Sequence, residues 1–259
     1  MDRPKADSVL VLSGLDPSGA AGIAADIETI NQFGLTPLPI ITLLTAQNTQ
    51  KVESLEVTKN DLLEHQFKLI DEDIHFNTVK IGLLGSSSQI IAISNLIKNR
   101  KQLNIVLDPI LISGTNENLS SIEIMEAMKA HLFPLCSVLT PNLAELNALA
   151  PGLDEQAAVA SLNCPWILVT TSDSSEAEIE HRLYHEAKLI QKFIYDKLPH
   201  KFHGSGCTLS SAISALIASG DDVDVACNKA LQYTYQCLLN AKKLGKMQFH
   251  PNRTSSKLI

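Results

Sequence analysis

Apolar and polar positions come in blocks along this chain, and the block lengths predict its elements. Short apolar runs that suit buried strands stand at residues 9–13, 38–44, 78–84, 104–107, 137–139 and 166–170. Between them the apolar residues fall at helical spacing. Ile23, Ile27 and Ile30 mark a helix over 20–33, with Gly34 placed to end it. Further helical patterns cover 61–72, 88–98, 122–132 and 143–150, with Pro134 and Pro151 closing the last two. Residues 187–195 read as extended, in a stretch where a hairpin fits. Two helices follow in succession, 207–219 and 223–244, with turn residues 220–222 between them. The tail after Lys246 is polar, and its last residues are expected to be poorly ordered. Strand and helix alternating this often predict crossover units. The expected fold is three-layer α/β, a mostly parallel central sheet with helices on both faces. No linker rich in Gly, Pro or Ser interrupts it, so residues 1–259 read as a single domain.

Composition narrows the function classes. Of 259 residues, 45% are apolar and 19% charged, enough for a large core and too apolar for a disordered chain. A net charge of −7 argues against a nucleic-acid partner held by broad phosphate neutralisation. It leaves room for a small phosphate compound, which local donors can bind on an acidic protein. Five cysteines with no C-x-x-C spacing offer neither a disulfide framework nor a zinc site. The polar residues 1–8 and the short apolar run after them suit neither a signal peptide nor a membrane span, so no membrane partner and a cytosolic place are expected.

Five motifs carry candidate chemistry. Gly204, Ser205, Gly206 and Cys207 open a helix of small and apolar residues, where unpaired backbone N–H groups and the helix dipole favour an anion. Glycines that merely permit a tight turn are the plain alternative. G-L-D-P-S-G at 14–19 links the first strand to the first helix, where open α/β sheets place ligand loops. Asp26 lies farther along that helix among Ala24, Ala25 and Ile27, and a solvated carboxylate is its ordinary reading. The amides of Gln47 and Asn48 stand at the end of the second strand pattern, able to satisfy backbone groups or to meet a flat polar ring. Asn142 reads as a helix N-cap with Glu145 as its capping-box partner. A place for Glu145 near hydrated Mg²⁺ is the functional alternative, and Asp108 before Pro109 is a further acidic candidate.

In this order the motifs resemble the ribokinase superfamily, and within it the phosphomethylpyrimidine kinases. The family's G-x-D-P-S-G-G-A-G-I-x-A-D is similar to residues 14–26, and its A-Q-N-T to 46–49. Its K-I-G-M, L-D-P and T-P-N-x-x-E are similar to 80–83, 107–109 and 140–145, and its H-G-T-G-C-T-L-S to 203–210 with Ser for Thr. The resemblance implies a ribokinase-like fold and ATP- and Mg²⁺-dependent phosphorylation of 4-amino-5-hydroxymethyl-2-methylpyrimidine, its monophosphate, or both. It implies a pyrimidine site of Gly14, Asp26, Gln47, Leu83 and Ile110, with Gln47 on the aminopyrimidine edge. It further implies an anion hole at 204–207, Mg²⁺ near Glu145 and Asp108 through water, and a homodimer. As the titratable side chain in that loop, Cys207 is expected to take the alcohol's proton, its thiol pKa lowered by the helix N-terminus.

Departures gather on the nucleotide side. Residues 170–173 read T-T-S-D where the family shows K-G-G-H, and the loop at 112–115 also lacks its Lys. Weak nucleotide binding is the expectation. The alternatives are a pyridoxal-type kinase, whose substrate also presents CH₂OH on a flat ring, and a pyrimidine-binding homologue with little turnover.

Overall fold

In the computed structural model, which describes residues 6–100, 102–111, 121–171 and 177–254, the chain is laid around β1 (Ser8–Leu15). This strand pairs in parallel with β2 (Thr36–Gln47) on one side and β4 (Thr78–Ile81) on the other, so that Leu10 stands between Leu38 and Val79. Next come β5 (Asn104–Leu107), β6 (Val138–Leu139) and β7 (Trp166–Val169), all parallel. Antiparallel strands finish both edges. β3 (Val52–Val57) lies outside β2, while β8 (Glu178–His185) and β9 (Lys188–Asp196) lie outside β7. The order in the sheet is β3-β2-β1-β4-β5-β6-β7-β8-β9.

Strand alternation sends side chains into two cores. Leu10 and Leu12 face α2 (Asn60–Asp73) and α3 (Ser87–Ile97), whose Leu63, Phe67, Ile90 and Ile93 pack there. The same layer takes Ile124 of α4 (Ile122–Ala127), Leu146 of α5 (Leu143–Leu149) and Val159 of α6 (Glu155–Ser161). Val9 and Val11 face the other way, onto α1 (Gly22–Gln32) and α7 (Ser205–Ala218). α8 (Val223–Leu239) completes that second layer against α7. Helices on both faces of a mostly parallel sheet are the architecture the alternation of blocks predicted.

Several details differ from the expectation. β3 was not predicted: its residues are largely exposed, so no buried alternation marks it. α6 also escaped, being two turns long and started by Asp154, whose side chain accepts from Ala157 N. The strand expected over 78–84 ends at Ile81, and the helix expected over 223–244 ends at Leu239. The segment 122–132 is α-helical as far as Ala127, then widens into π-type turns over Met128–Leu132 before Pro134. The expected hairpin is present, turning at Glu186 and Ala187, both with positive φ. Most informative is the tail. Gln248, His250 and Arg253 are buried against the body of the protein, while 255–259 fall outside the described residues. Polarity alone did not mean solvation.

Candidate active site

The C-terminal ends of the parallel strands open into a cavity of about 860 Å³, where open α/β sheets place their ligands. Gly14 and Leu15 end β1, Thr45 and Gln47 end β2, Leu83 follows β4, and Asp108 and Ile110 follow β5. Gly204, Ser205, Gly206 and Cys207 close the floor with the N-terminus of α7. Of the sequence candidates, Gly14, Gln47, Leu83, Ile110, Asp108, Glu145 and 204–207 therefore share one cavity. Asp26 does not.

Why α7 starts where it does is settled at Gly204. This residue is its N-cap at φ +84°, and a Cβ there would collide with the Ala20 carbonyl oxygen. Glycine is thus required at 204. Gly206 is different, because its Cβ would meet Asp108 Oδ2 at 3.4 Å, an ordinary contact. The first N–H groups of α7 face the cavity end of a helix fourteen residues long, and its dipole adds partial positive charge there.

Behind this floor stands a buried charge cluster. Asp26 is fully buried, pairs with Lys80 Nζ at 2.9 Å and accepts from Ser211 Oγ at 2.7 Å. It is neither a solvated carboxylate nor part of the cavity wall, which corrects both expectations. Burial favours a neutral Lys80, but Asp26, and behind it Cys207 and Asp108, raise its pKa and keep the ammonium charged. Lys80 was not singled out from sequence as a site residue. A lysine inside the buried T-V-K-I strand was the available signal.

The thiol of Cys207 also departs from expectation. Burial pushes it up to about 12; Lys80 works against that, while Asp108 and Asp26 add to it. The helix N-terminus does not make a thiolate here, and Cys207 is a neutral thiol at pH 7. It lies close enough to Asp108 to help lower that carboxyl's pKa, as does Ser210, whose hydroxyl donates to Gly206 O at 3.0 Å.

Asp108 and Glu145 form an acidic pair deprived of water. Burial first, and then the Asp108 charge, lift Glu145 to about 8. Burial likewise lifts Asp108 to about 6, with Lys80 opposing. Glu145 Oε2 accepts from Asn142 N at 2.8 Å and Asn142 Oδ1 from Glu145 N at 2.8 Å, which is the predicted capping box. Asp108 Oδ2 is buried with no protein partner. Among the described residues no group of three or more His, Cys, Asp or Glu could enclose a metal. Asp108, with its unpartnered oxygen, fits a hydrated divalent cation such as Mg²⁺, which keeps several of its waters and whose charge would favour ionising Glu145 beside it.

Asp16, which sequence reading passed over, organises the 14–20 loop. It accepts from Ser18 N at 2.8 Å, Ser18 Oγ at 2.9 Å and Ala21 N at 3.0 Å, and pairs with His203 Nε2 at 3.1 Å. Burial alone would raise its pKa, but His203, Gln47 and Ser18 outweigh that and hold the carboxyl well below the usual range. Gln47 is thereby fixed at the cavity wall. Asn48 instead accepts from Gln50 N and Lys51 N and serves its own turn. At the far wall stand His181, Tyr195 and Tyr235, with the Tyr rings 4.8 Å apart, and beside them Lys197 and Lys201. Of the two stretches that lack the family's lysines, 112–115 and 172–173 lie outside the described residues.

A strand-end cavity floored by a glycine-initiated helix defines, on this sheet, a small-molecule kinase of the ribokinase-like class. The model of the family described as phosphomethylpyrimidine kinase matches residues 16–252, and the chain belongs to that family. A hydroxymethylpyrimidine/phosphomethylpyrimidine kinase of Salmonella typhimurium is 32% identical over 219 residues, 81% of this chain and 82% of that one. The solved phosphomethylpyrimidine kinase of Clostridium difficile 630 superposes with a TM-score of 0.75 at 28% identity, covering 89% of this chain and 99% of that one. An ADP complex of Bacillus subtilis pyridoxal kinase reaches a TM-score of 0.88 at 23% identity, over 98% and 100% of the two chains, a likeness of fold.

Proposed function

We propose that this protein transfers the γ-phosphoryl group of ATP to 4-amino-5-hydroxymethyl-2-methylpyrimidine, to its monophosphate, or to both, within thiamine biosynthesis. The observation that carries this reading is the placement of Gln47, Cys207 and the α7 N-terminus around one cavity. Gln47, held by Asp16, presents an amide to the aminopyrimidine edge, while Gly14, Leu83 and Ile110 flank the ring. The N–H groups at 204–207 face the transferring phosphoryl, whose metaphosphate-like state asks mainly for positioning and charge balance. As the alcohol oxygen bonds to phosphorus and ADP leaves with the old bond's electrons, the alcohol proton passes to Cys207 Sγ. The thiol's own proton passes to Asp108. A neutral thiol can do this where a thiolate is not available. Mg²⁺, held through water by Glu145 and Asp108, would supply positive charge to the phosphate oxygens.

A coupled ADP-release assay with the pyrimidine alcohol, its monophosphate and pyridoxal tests the reading. Turnover of pyridoxal alone, or of none of the three, would sink it. Within it, Cys207→Ala should lower turnover by about 10²–10⁴-fold and leave pyrimidine affinity unchanged, with Cys207→Ser losing less because a hydroxyl still relays. Turnover within twofold of the parent for Cys207→Ala would remove the thiol from the mechanism. A single-domain protein, a homodimer and a cytosolic location belong to the same proposal. Five free thiols support a reducing compartment.

A further inference from the structure

Arg253 is among the largest fully buried side chains of the protein, and it comes from the polar tail rather than from a core element. Its guanidinium donates to the carbonyl oxygen of Ala20, where the 14–20 loop ends. From the same nitrogen it reaches Gly204 O, at 3.5 Å, on the N-cap of α7. It donates further to Thr208 Oγ1 at 2.8 Å, one turn into α7, and to Glu28 Oε2 at 3.1 Å on α1. One planar fork thus bonds both glycine loops and both helices that leave them.

The segment around Arg253 is docked by its backbone as well. Phe249 N donates to Lys201 O at 2.9 Å and His203 N to Phe249 O at 3.0 Å, so the tail lies beside the strand-like approach to the anion hole. Asn252 N donates to Cys237 O at 3.0 Å, and Tyr233 Oη to Arg253 O at 3.0 Å, which pin the other side to α8. His250 is buried within electrostatic reach of His203 and Asp16.

We propose that Arg253 is a positioning residue: it fixes the 14–20 loop against the N-cap of α7, so that docking of the 248–253 segment completes the floor of the cavity. The Asp16–His203 pair also spans the two loops, but among the described residues Arg253 is the buried cation that bonds backbone carbonyls of both. Lys80 sits behind Asp26 and bonds no carbonyl of either loop. The Gly204 carbonyl also accepts from Thr208 N, at 3.0 Å, so a shift at Gly204 disturbs the first turn of α7 and the N–H groups that would face an anion.

Amide hydrogen exchange of the parent and Arg253→Ala, without substrate, tests the proposal. Exchange should become roughly tenfold faster or more at 16–22 and 204–208, while β1 as far as Ser13 and β5 keep their rates. Equal rates in the two proteins, or an acceleration spread evenly over the sheet, overturn it. Should Arg253→Ala fail to fold, Arg253→Lys, which keeps the charge and loses the fork, enters the same comparison with the same outcomes. A kinetic arm separates positioning from bulk structure and rests on the kinase reading above. Turnover of the folded variant should fall about tenfold or more with the KM for the pyrimidine alcohol held, and guanidinium ion at low concentration should restore part of it to Arg253→Ala. A loss of turnover fully accounted for by a smaller folded fraction, with no restoration by guanidinium, points to bulk structure and overturns the proposal. A parent protein inactive on the pyrimidine would overturn the kinase reading, and the exchange experiment would still decide the role of Arg253.

Discussion

At the floor of the cavity, Asp26 is matched to Lys80, Asp16 to His203, and Arg253 to Glu28 and the loop carbonyls. At the far wall the lining is His181, Tyr195, Tyr235 and two lysines on the connection between β9 and α7, with Lys201 exposed. The Asp26–Lys80 pair is fully desolvated and Asp16–His203 nearly so, which makes their loss expensive, while Arg253 is buried against a half-exposed Glu28. The far wall offers ring faces and the exposed side chains of Lys197 and Lys201. On the proposed kinase reading, the paired floor would place the reacting atom and the more exposed far wall would meet the rest of the cosubstrate.

The sharpest way to break this contrast is Lys80→Met. It leaves Asp26 as a buried, unpaired carboxylate and should cost about 3–5 kcal/mol in urea unfolding, much of it regained in Lys80→Met/Asp26→Leu. A loss below about 1 kcal/mol would mean that the floor does not depend on the pair. Next is Gly204→Ala, which forces both a strained backbone and a collision with Ala20 O. Turnover should drop by about 10²–10³-fold, the usual cost of losing an oxyanion donor. Gly206→Ala, facing Asp108 Oδ2 at 3.4 Å, should keep most activity, and the reverse ranking would show that the N-cap geometry is not what matters.

Gln47→Ala should weaken the pyrimidine alcohol by roughly 5- to 150-fold, or about 1–3 kcal/mol, without affecting nucleotide. Equal losses for both ligands in calorimetry would make Gln47 a structural partner of Asp16. The smallest effect belongs to the far wall. Lys201→Ala should weaken an ATP analogue by only about 2- to 5-fold, as exposed cations usually do. A hundredfold loss would mean that Lys201 has taken over from the lysines missing at 112–115 and 170–173.

What could be read from the sequence follows the range of the interactions. The glycine-initiated start of α7, the Asn142–Glu145 capping box and the parallel strands are local patterns, and they lie where the motifs put them. Asp26 was misread because a helix position among alanines does not tell what faces it. Its partner comes from β4, where Lys80 stands between the apolar Val79 and Ile81. The Cys207 thiol was misjudged because a helix N-terminus is visible in sequence while burial beside Asp108 and Asp26 is not. Arg253 was hidden by composition: a polar tail reads as solvated, and most of its acceptors are backbone or side-chain oxygens of distant elements.

The bonds that complete the cavity floor also join the most widely separated parts of the chain. Ser211 and Asp26 are 185 residues apart, and Arg253 and Glu28 are 225 apart. Closing loops of that size costs entropy before any contact repays it, and folding slows as such contacts dominate. Much of the sheet pairs strands one crossover apart, whereas the floor needs both ends of the chain at once. Refolding should therefore pass through a stage with native secondary structure and no competent site, and ligand binding should recover as a later kinetic phase than helical circular dichroism.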